Sequence, residues 1–311
     1  RRAFDEEGRR RRGEERRGAN RDVEERGMFR SQYDTDVTVF SPQGRLLQVE
    51  YAMEAVKQGS ACLGLVGKSH VVLAALKRQP NELSSYQRKL LSIDEHAVVA
   101  IAGLNADARS LAKYMRTECL NHKYSFGAPL QAARLAVDVA DKYQRCTQMY
   151  VRRPYGVGLL LGAFDATGPH LFEIDPSGNF NEYHAMAIGA RAQSAKTYLE
   201  KHYESFPDLA VDDLVKHALR ALAGCVAGDK ELDAASASVA VVGPSDASKT
   251  GVSQILEDDQ IQPYLDAIDV GVAAMDTDEG ATTTEAVVGE AATTPQTSAG
   301  EADADADVAD A

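Results

Sequence analysis

Apolar and polar positions along the chain recur with two periods, and their order predicts an architecture. SACLGLVGKSHVVLAAL (60–76) holds two short β-rich runs broken at Gly67-Lys68-Ser69, and HAVVAIAGL (96–104) reads as a further strand. Asn105 stands where a helix cap is expected. It opens a helix to about residue 122 with Leu111, Tyr114 and Met115 on one face. A second helix, about 129–147, places Leu130, Ala133, Val137, Ala140 and Tyr143 at helical spacing. Strands follow at 155–164, 170–175 and 179–185, with turns at 165–168 and at Pro176-Ser177-Gly178. Helices at about 190–205 and 211–227, strands at 239–243 and 252–256, and a short helix at 259–267 complete the series. Helices arriving in antiparallel pairs between blocks of strands imply four layers: helix, sheet, sheet, helix.

Ahead of the first strand the pattern changes. Ser41-Pro42-Gln43-Gly44 has the residues a type I turn favours at its first, second and fourth positions. Residues 45–57 then read as a helix, with Leu46, Val49, Met53 and Val56 on one stripe and Ala52 beside them. Gln48, Glu50, Glu54 and Lys57 lie off that stripe, and Gly59 reads as the helix stop. A helix of about 13 residues is marginal alone in water, so the stripe must dock on something.

Charge narrows the domain boundaries. Residues 1–27 carry ten Arg against eight acids and only Phe4 and Val23 as sizeable apolar groups. Such a segment does not offset its ordering entropy of about 1–2 kcal/mol per residue. Residues 1–27 are therefore expected to be a disordered or artefactual extension, with Met28 as the biological start. The folded domain is expected over 28–270. The last 41 residues hold ten acids and no Lys or Arg, and 271–311 is expected to be a disordered acidic tail. Most of the net charge of −13 belongs to that tail, which argues against a nucleic-acid surface. The four cysteines (Cys62, Cys119, Cys146, Cys225) form no CxxC pair and have no His at metal spacing, so neither a zinc site nor a disulfide frame is expected. No apolar run approaches the roughly 18 residues of a membrane span. The first residues lack the apolar core of a secretory signal, and an intracellular protein is expected. Gly156-x-Gly158 enters a strand and lacks a third glycine, so it is no dinucleotide loop. Arg152-Arg153-Pro154-Tyr155 clusters only two charges and reads as a loop or inter-subunit contact.

The run YDTDVTVFSPQGRLLQVEYAMEAVKQG (33–59) resembles the opening of the α-type subunits of the 20S proteasome. The resemblance continues in KLLSIDEH, AVVAIAGLNADAR, RRPYGVGLLLGAFD and AIGARAQSAKTYLE, and so covers essentially 28–270. It implies an α+β fold, the four-layer αββα sandwich of the N-terminal nucleophile hydrolases, with an extra N-terminal helix. It also implies a place in a ring of seven different α-type subunits that covers a β-type ring, in the cytoplasm and nucleus, for ubiquitin-dependent protein degradation. No cofactor, metal, nucleic acid or membrane partner is implied.

Two chemistries follow from the resemblance. Active β-type relatives begin with a catalytic threonine after a cleaved Gly. Ser60 after Gly59 corresponds to it, Lys89 to the catalytic lysine, and Leu76 stands where the catalytic aspartate is expected. Serine is a nucleophile when a base activates it, so a self-processed peptidase is one reading. Against it, a retained leading segment makes the Ser60 nitrogen an amide, and Leu76 orients nothing. The other reading is gating and docking. Tyr33, Asp34, Pro42 and Tyr51 match the family cluster that holds the gate open, and residues 28–40 are expected to reach toward the axial pore. Thr35 stands where the gate motif usually has Arg, which predicts a smaller share in the gate contacts. Lys89 matches a lysine that receives activator C-terminal tails, with Gly44, Arg45, Leu46 and Gly59 beside it. Its alternative is a solvated charge next to Arg88.

Overall fold

The computed structural model describes residues 33–79, 81, 83–226, 232–245 and 248–275, with no side-chain description for 245–250 and 269–275. The expectations for 1–27, for Met28 and for 276–311 fall outside these residues. In chain order the elements are α1 (Leu47–Gln58), β1 (Cys62–Val66), β2 (Val71–Leu76), β3 (Leu90–Asp94), β4 (Ala97–Gly103), α2 (Asn105–Phe126) and α3 (Ala132–Gln148). Then come β5 (Val157–Asp165), β6 (Gly168–Ile174), β7 (Phe180–Glu182), β8 (Ala185–Ile188), α4 (Ala192–His202) and α5 (Val211–Ala223). β9 (Ala237–Ser245), β10 (Ser248–Glu257) and α6 (Gln262–Met275) close the series.

Every strand pairing is antiparallel, in two sheets of order β10-β9-β2-β1-β8 and β3-β4-β5-β6-β7. Period-two burial stacks them. On β4, Ala97, Val99 and Ile101 point into the apolar cluster shared with α2 and α3, while Val98, Ala100 and Ala102 point into a central cluster. On β2, Val72 and Ala74 face the cluster shared with α4 and α5, while Val71, Leu73 and Ala75 face the central one. A strand buried on both faces needs a layer on each side. The three clusters therefore define the αββα sandwich that the pattern implied.

Several details differ from expectation. Residues 179–185 are not one strand: β7 pairs with β6, and β8 pairs with β1 in the other sheet. The chain crosses between the sheets at Tyr183-His184, and alternation along the sequence carries no mark of that change of partner. Asn105 is not the cap of α2. Leu104 occupies the cap without a side-chain bond, held by its N–H to the Gly156 carbonyl at 2.9 Å. α2 runs on to Phe126, where Gly127 closes it in the left-handed conformation. α6 extends to Met275, eight residues beyond the short helix expected at 259–267.

α1 finds its partner on the second sheet, against β4 and β5. Val49 and Ala52 are its buried residues. The seat is built from glycine. A Cβ on Gly158 would lie 2.9 Å from Cγ1 of Val56, and one on Gly59 would lie 2.2 Å from the backbone nitrogen of Gly103. Gly59 caps α1 as expected, its N–H donating to the Val56 carbonyl at 3.0 Å, with φ −66°, a value ordinary for any residue. It is glycine because two backbones touch there.

Candidate functional site

The leading segment lies along α1. The Ser41–Gly44 turn closes with the Gly44 N–H donating to the Ser41 carbonyl at 2.8 Å, and Gly44 has φ +75°. The Arg45 N–H donates to Oγ of Ser41 at 3.1 Å, and Leu46 occupies the cap of α1 with its carbonyl accepting from Glu50 at 3.2 Å. The Arg45 guanidinium spans to the Glu50 carboxylate with two of its nitrogens, Nε at 2.7 Å and Nη2. That bond holds the Glu50 carboxyl below its ordinary range. Before the turn, the Thr38 N–H and hydroxyl both donate to Oδ1 of Asp36 at 2.9 Å, and Val37 is buried.

Of the four residues matched to the gate, the structure joins two by a hydrogen bond. The Tyr51 hydroxyl lies 3.4 Å from Oδ2 of Asp34. Tyr33 is half-buried at the start of the segment, and Pro42 is exposed in the turn. Gln48, which the periodicity placed off the apolar stripe, also reaches Asp34: its carboxamide N–H donates to the Asp34 carbonyl. No sequence signal separates this glutamine from a solvated one.

The second centre is the junction between α1 and β1. Lys89 is 3 % exposed, so the solvated reading fails. Its ammonium donates to Oγ of Ser60 at 2.7 Å and also to the Ser60 carbonyl. Burial pushes the Lys89 pKa down, opposed by the neighbouring Cys62. The Gly59 carbonyl accepts from the Ala190 N–H at 2.6 Å, and Gly189 packs so closely that a Cβ there would lie 2.7 Å from the Ser60 oxygen. The Ser60 nitrogen is a peptide nitrogen in the middle of this clamp. Leu76, on β2, donates its N–H to the Ala61 carbonyl at 3.0 Å and offers no carboxylate. The nucleophile–lysine pair is thus present in geometry, without an acid at Leu76 to orient it and, while residues 33–59 are attached, without a free amine.

Gly59 and Lys89 therefore meet at one end of α1, whereas Gly44, Arg45 and Leu46 sit at the other. Twelve helical residues separate them by about 18 Å, since each rises about 1.5 Å. A loop contact braces the seat of α1 from behind. Arg153 forms a bidentate pair with buried Asp107 at 2.7 and 2.8 Å, and Asp107 also accepts from the Gly156 N–H at 3.1 Å. Arg153 thus belongs to an internal loop contact. Among the described residues, no group of His, Cys, Asp and Glu has the geometry to hold a metal ion, and no helix is long and apolar enough to cross a membrane.

Comparison with known proteins gives two family matches. The family described as "Proteasome subunit" matches residues 56–242, and the N-terminal signature of the α-type proteasome subunits matches residues 33–55. The chain is 48 % identical over 243 residues to the alpha type-1 proteasome subunit of Dictyostelium discoideum, covering 78 % of this chain and 96 % of that one. It is 51 % identical over 204 residues to the alpha type-1 proteasome subunit of Drosophila melanogaster, covering 66 % and 73 %. It is 53 % identical over 216 residues to a probable alpha type-6 proteasome subunit of Schizosaccharomyces pombe, covering 70 % and 79 %.

Proposed function

Because the chain belongs to the proteasome subunit family and carries the N-terminal signature of its α-type members, we propose that it is a non-catalytic α-type subunit of the 20S core particle, of the alpha type-1 kind. It assembles with other proteasome subunits, in a heteroheptameric outer ring stacked on a β-type ring. There it helps gate substrate entry and docks activators for ubiquitin-dependent protein degradation. The observation that carries this reading is the signature segment 33–55 seated with α1 on β4 and β5, together with Leu76 where a catalytic acid would stand. Retention of that segment would leave Ser60 without an amine base and would supply the helix and leading segment of the gate.

The separation along α1 bears on docking. Gly59 and Lys89 of one protomer would form a single pocket with Gly44, Arg45 and Leu46 of its neighbour only where the two meet. Two of the three Lys89 N–H donors go to Ser60, leaving one for a terminal carboxylate.

The paired Ser60 and Lys89 favour a second reading, a processed N-terminal-serine peptidase, which needs cleavage at Gly59–Ser60. Intact mass and N-terminal sequence of the chain in purified core particles decide between them. Retention of residues 33–59 is the expected result. A chain beginning at Ser60 would overturn the gate-subunit reading.

A further inference from the structure

α1 has a buried face, Val49 and Ala52, and an exposed one, Glu54, Lys57 and Gln58, and Gln48 lies half-buried between them. Its carboxamide donates to a backbone carbonyl, that of Asp34, fourteen residues earlier. The other tie to Asp34 is weaker. At 3.4 Å the Tyr51 hydroxyl is beyond the usual O–H···O range, which ends at about 3.0 Å. It also meets a carboxylate that can rotate away into water, whereas a carbonyl cannot turn without moving the chain. Downstream, the path is set by buried Val37 and the Asp36–Thr38 turn. Among the described residues ahead of Val37, these two at Asp34 are the side-chain hydrogen bonds to α1.

We infer that Gln48 is the positioning residue that sets the path of the leading segment over α1, with Tyr51 a secondary tie. The inference rests on the gate reading for its consequence, but not for its geometry. The role requires a donor. Glutamate at 48 would present only acceptors to the carbonyl, leucine would present nothing, and lysine would restore an N–H.

The test uses core particles containing the full chain, with Gln48→Leu, Gln48→Glu, Gln48→Lys and Tyr51→Phe variants. Hydrogen exchange is followed over 33–38 and over 49–58, together with basal hydrolysis of a small fluorogenic peptide. In the Leu and Glu variants, exchange over 33–38 is expected to rise about fivefold, the scale of one ordinary hydrogen bond, while 49–58 is unchanged. The Lys variant should stay within about twofold of the parent, because it keeps a donor. Basal peptide hydrolysis should rise with the loosened segment. Unchanged exchange over 33–38, an equal rise over 49–58, or a larger effect from Tyr51→Phe would each overturn the assignment. Should the Leu variant not assemble, the Glu and Lys variants decide it: equal behaviour of the two overturns the donor role. Faster exchange with unchanged peptide hydrolysis would uphold Gln48 as the positioning residue and remove the gate reading instead.

Discussion

Lys89 shows what burial does to the meaning of a single charge. Beside Arg88 at the start of a strand it has the sequence context of a solvated lysine, and only the packing around Ser60 shows otherwise. A desolvated ammonium that still has a donor to spare is suited to a terminal carboxylate, and a charge-assisted bond in such shelter is worth roughly 1.5–3 kcal/mol. Lys89→Ala is therefore expected to weaken docking of tail-carrying activators on assembled particles by about tenfold to a hundredfold. An equilibrium binding measurement checks it, and unchanged affinity would remove Lys89 from the pocket. Gln48 is the complementary case. Its chemistry was unreadable because an off-stripe glutamine looks the same whether it faces water or a carbonyl fourteen residues away. Tyr51 and Asp34 were legible only through a family motif, and the geometry gives them the weaker bond.

At the scale of elements, the stripe of α1 announced a docking helix correctly, but not its seat. The seat exists because β4 and the approach to β5 are glycine where the helix crosses them, so the prediction falls on Gly59. Its added Cβ would collide with backbone, which cannot swing aside as a side chain can. Gly59→Ala is expected to destabilise the chain by about 1–3 kcal/mol, the usual scale of overpacking, and to speed hydrogen exchange throughout α1. Gly158→Ala, which meets the movable Val56 side chain, should cost less. Denaturant titration of both variants checks the order, and equal or reversed costs would contradict the backbone contact. Apart from β3, which was not among the strands read from the pattern, most strand and helix identities were readable, because period-two and period-3.6 burial leave different marks. Two exceptions were long-range in origin: β7 and β8 are separated by a change of pairing partner, and Leu104 rather than Asn105 caps α2, held by a bond to Gly156.

The whole molecule buries groups that ionise only in base, and its stability should follow. Burial pushes the Cys62 thiol up to about 11, with Lys89 opposing, and the Cys119 thiol up to about 12, and it raises buried Tyr143 well above its ordinary value. A raised folded pKa means the unfolded chain loses the proton first. This contribution is complete below about pH 9 and is lost as pH climbs toward 12. Lys89 acts in the opposite sense, since its folded pKa is lowered, while burial also raises Cys225 and Tyr198 and adds to the first sense. Unfolding free energy from urea titrations is expected to fall steadily above pH 9, and less in a variant with Cys62 and Cys119 both replaced by Ala. A flat profile would refute the account. The sequence by itself determined the layered architecture and the docking helix, since alternation of apolar residues follows from local geometry and from the need to bury them. The family resemblance added the pairing of Ser60 with Lys89 and the place of Leu76. Tertiary structure alone decided that Lys89 is buried on Ser60, that Gly59 serves a backbone contact, that the two groups of residues matched to the pocket lie at opposite ends of α1, and that Gln48 bonds to the Asp34 carbonyl. Each of these joins residues distant along the chain, and whether such groups meet depends on how the layers pack.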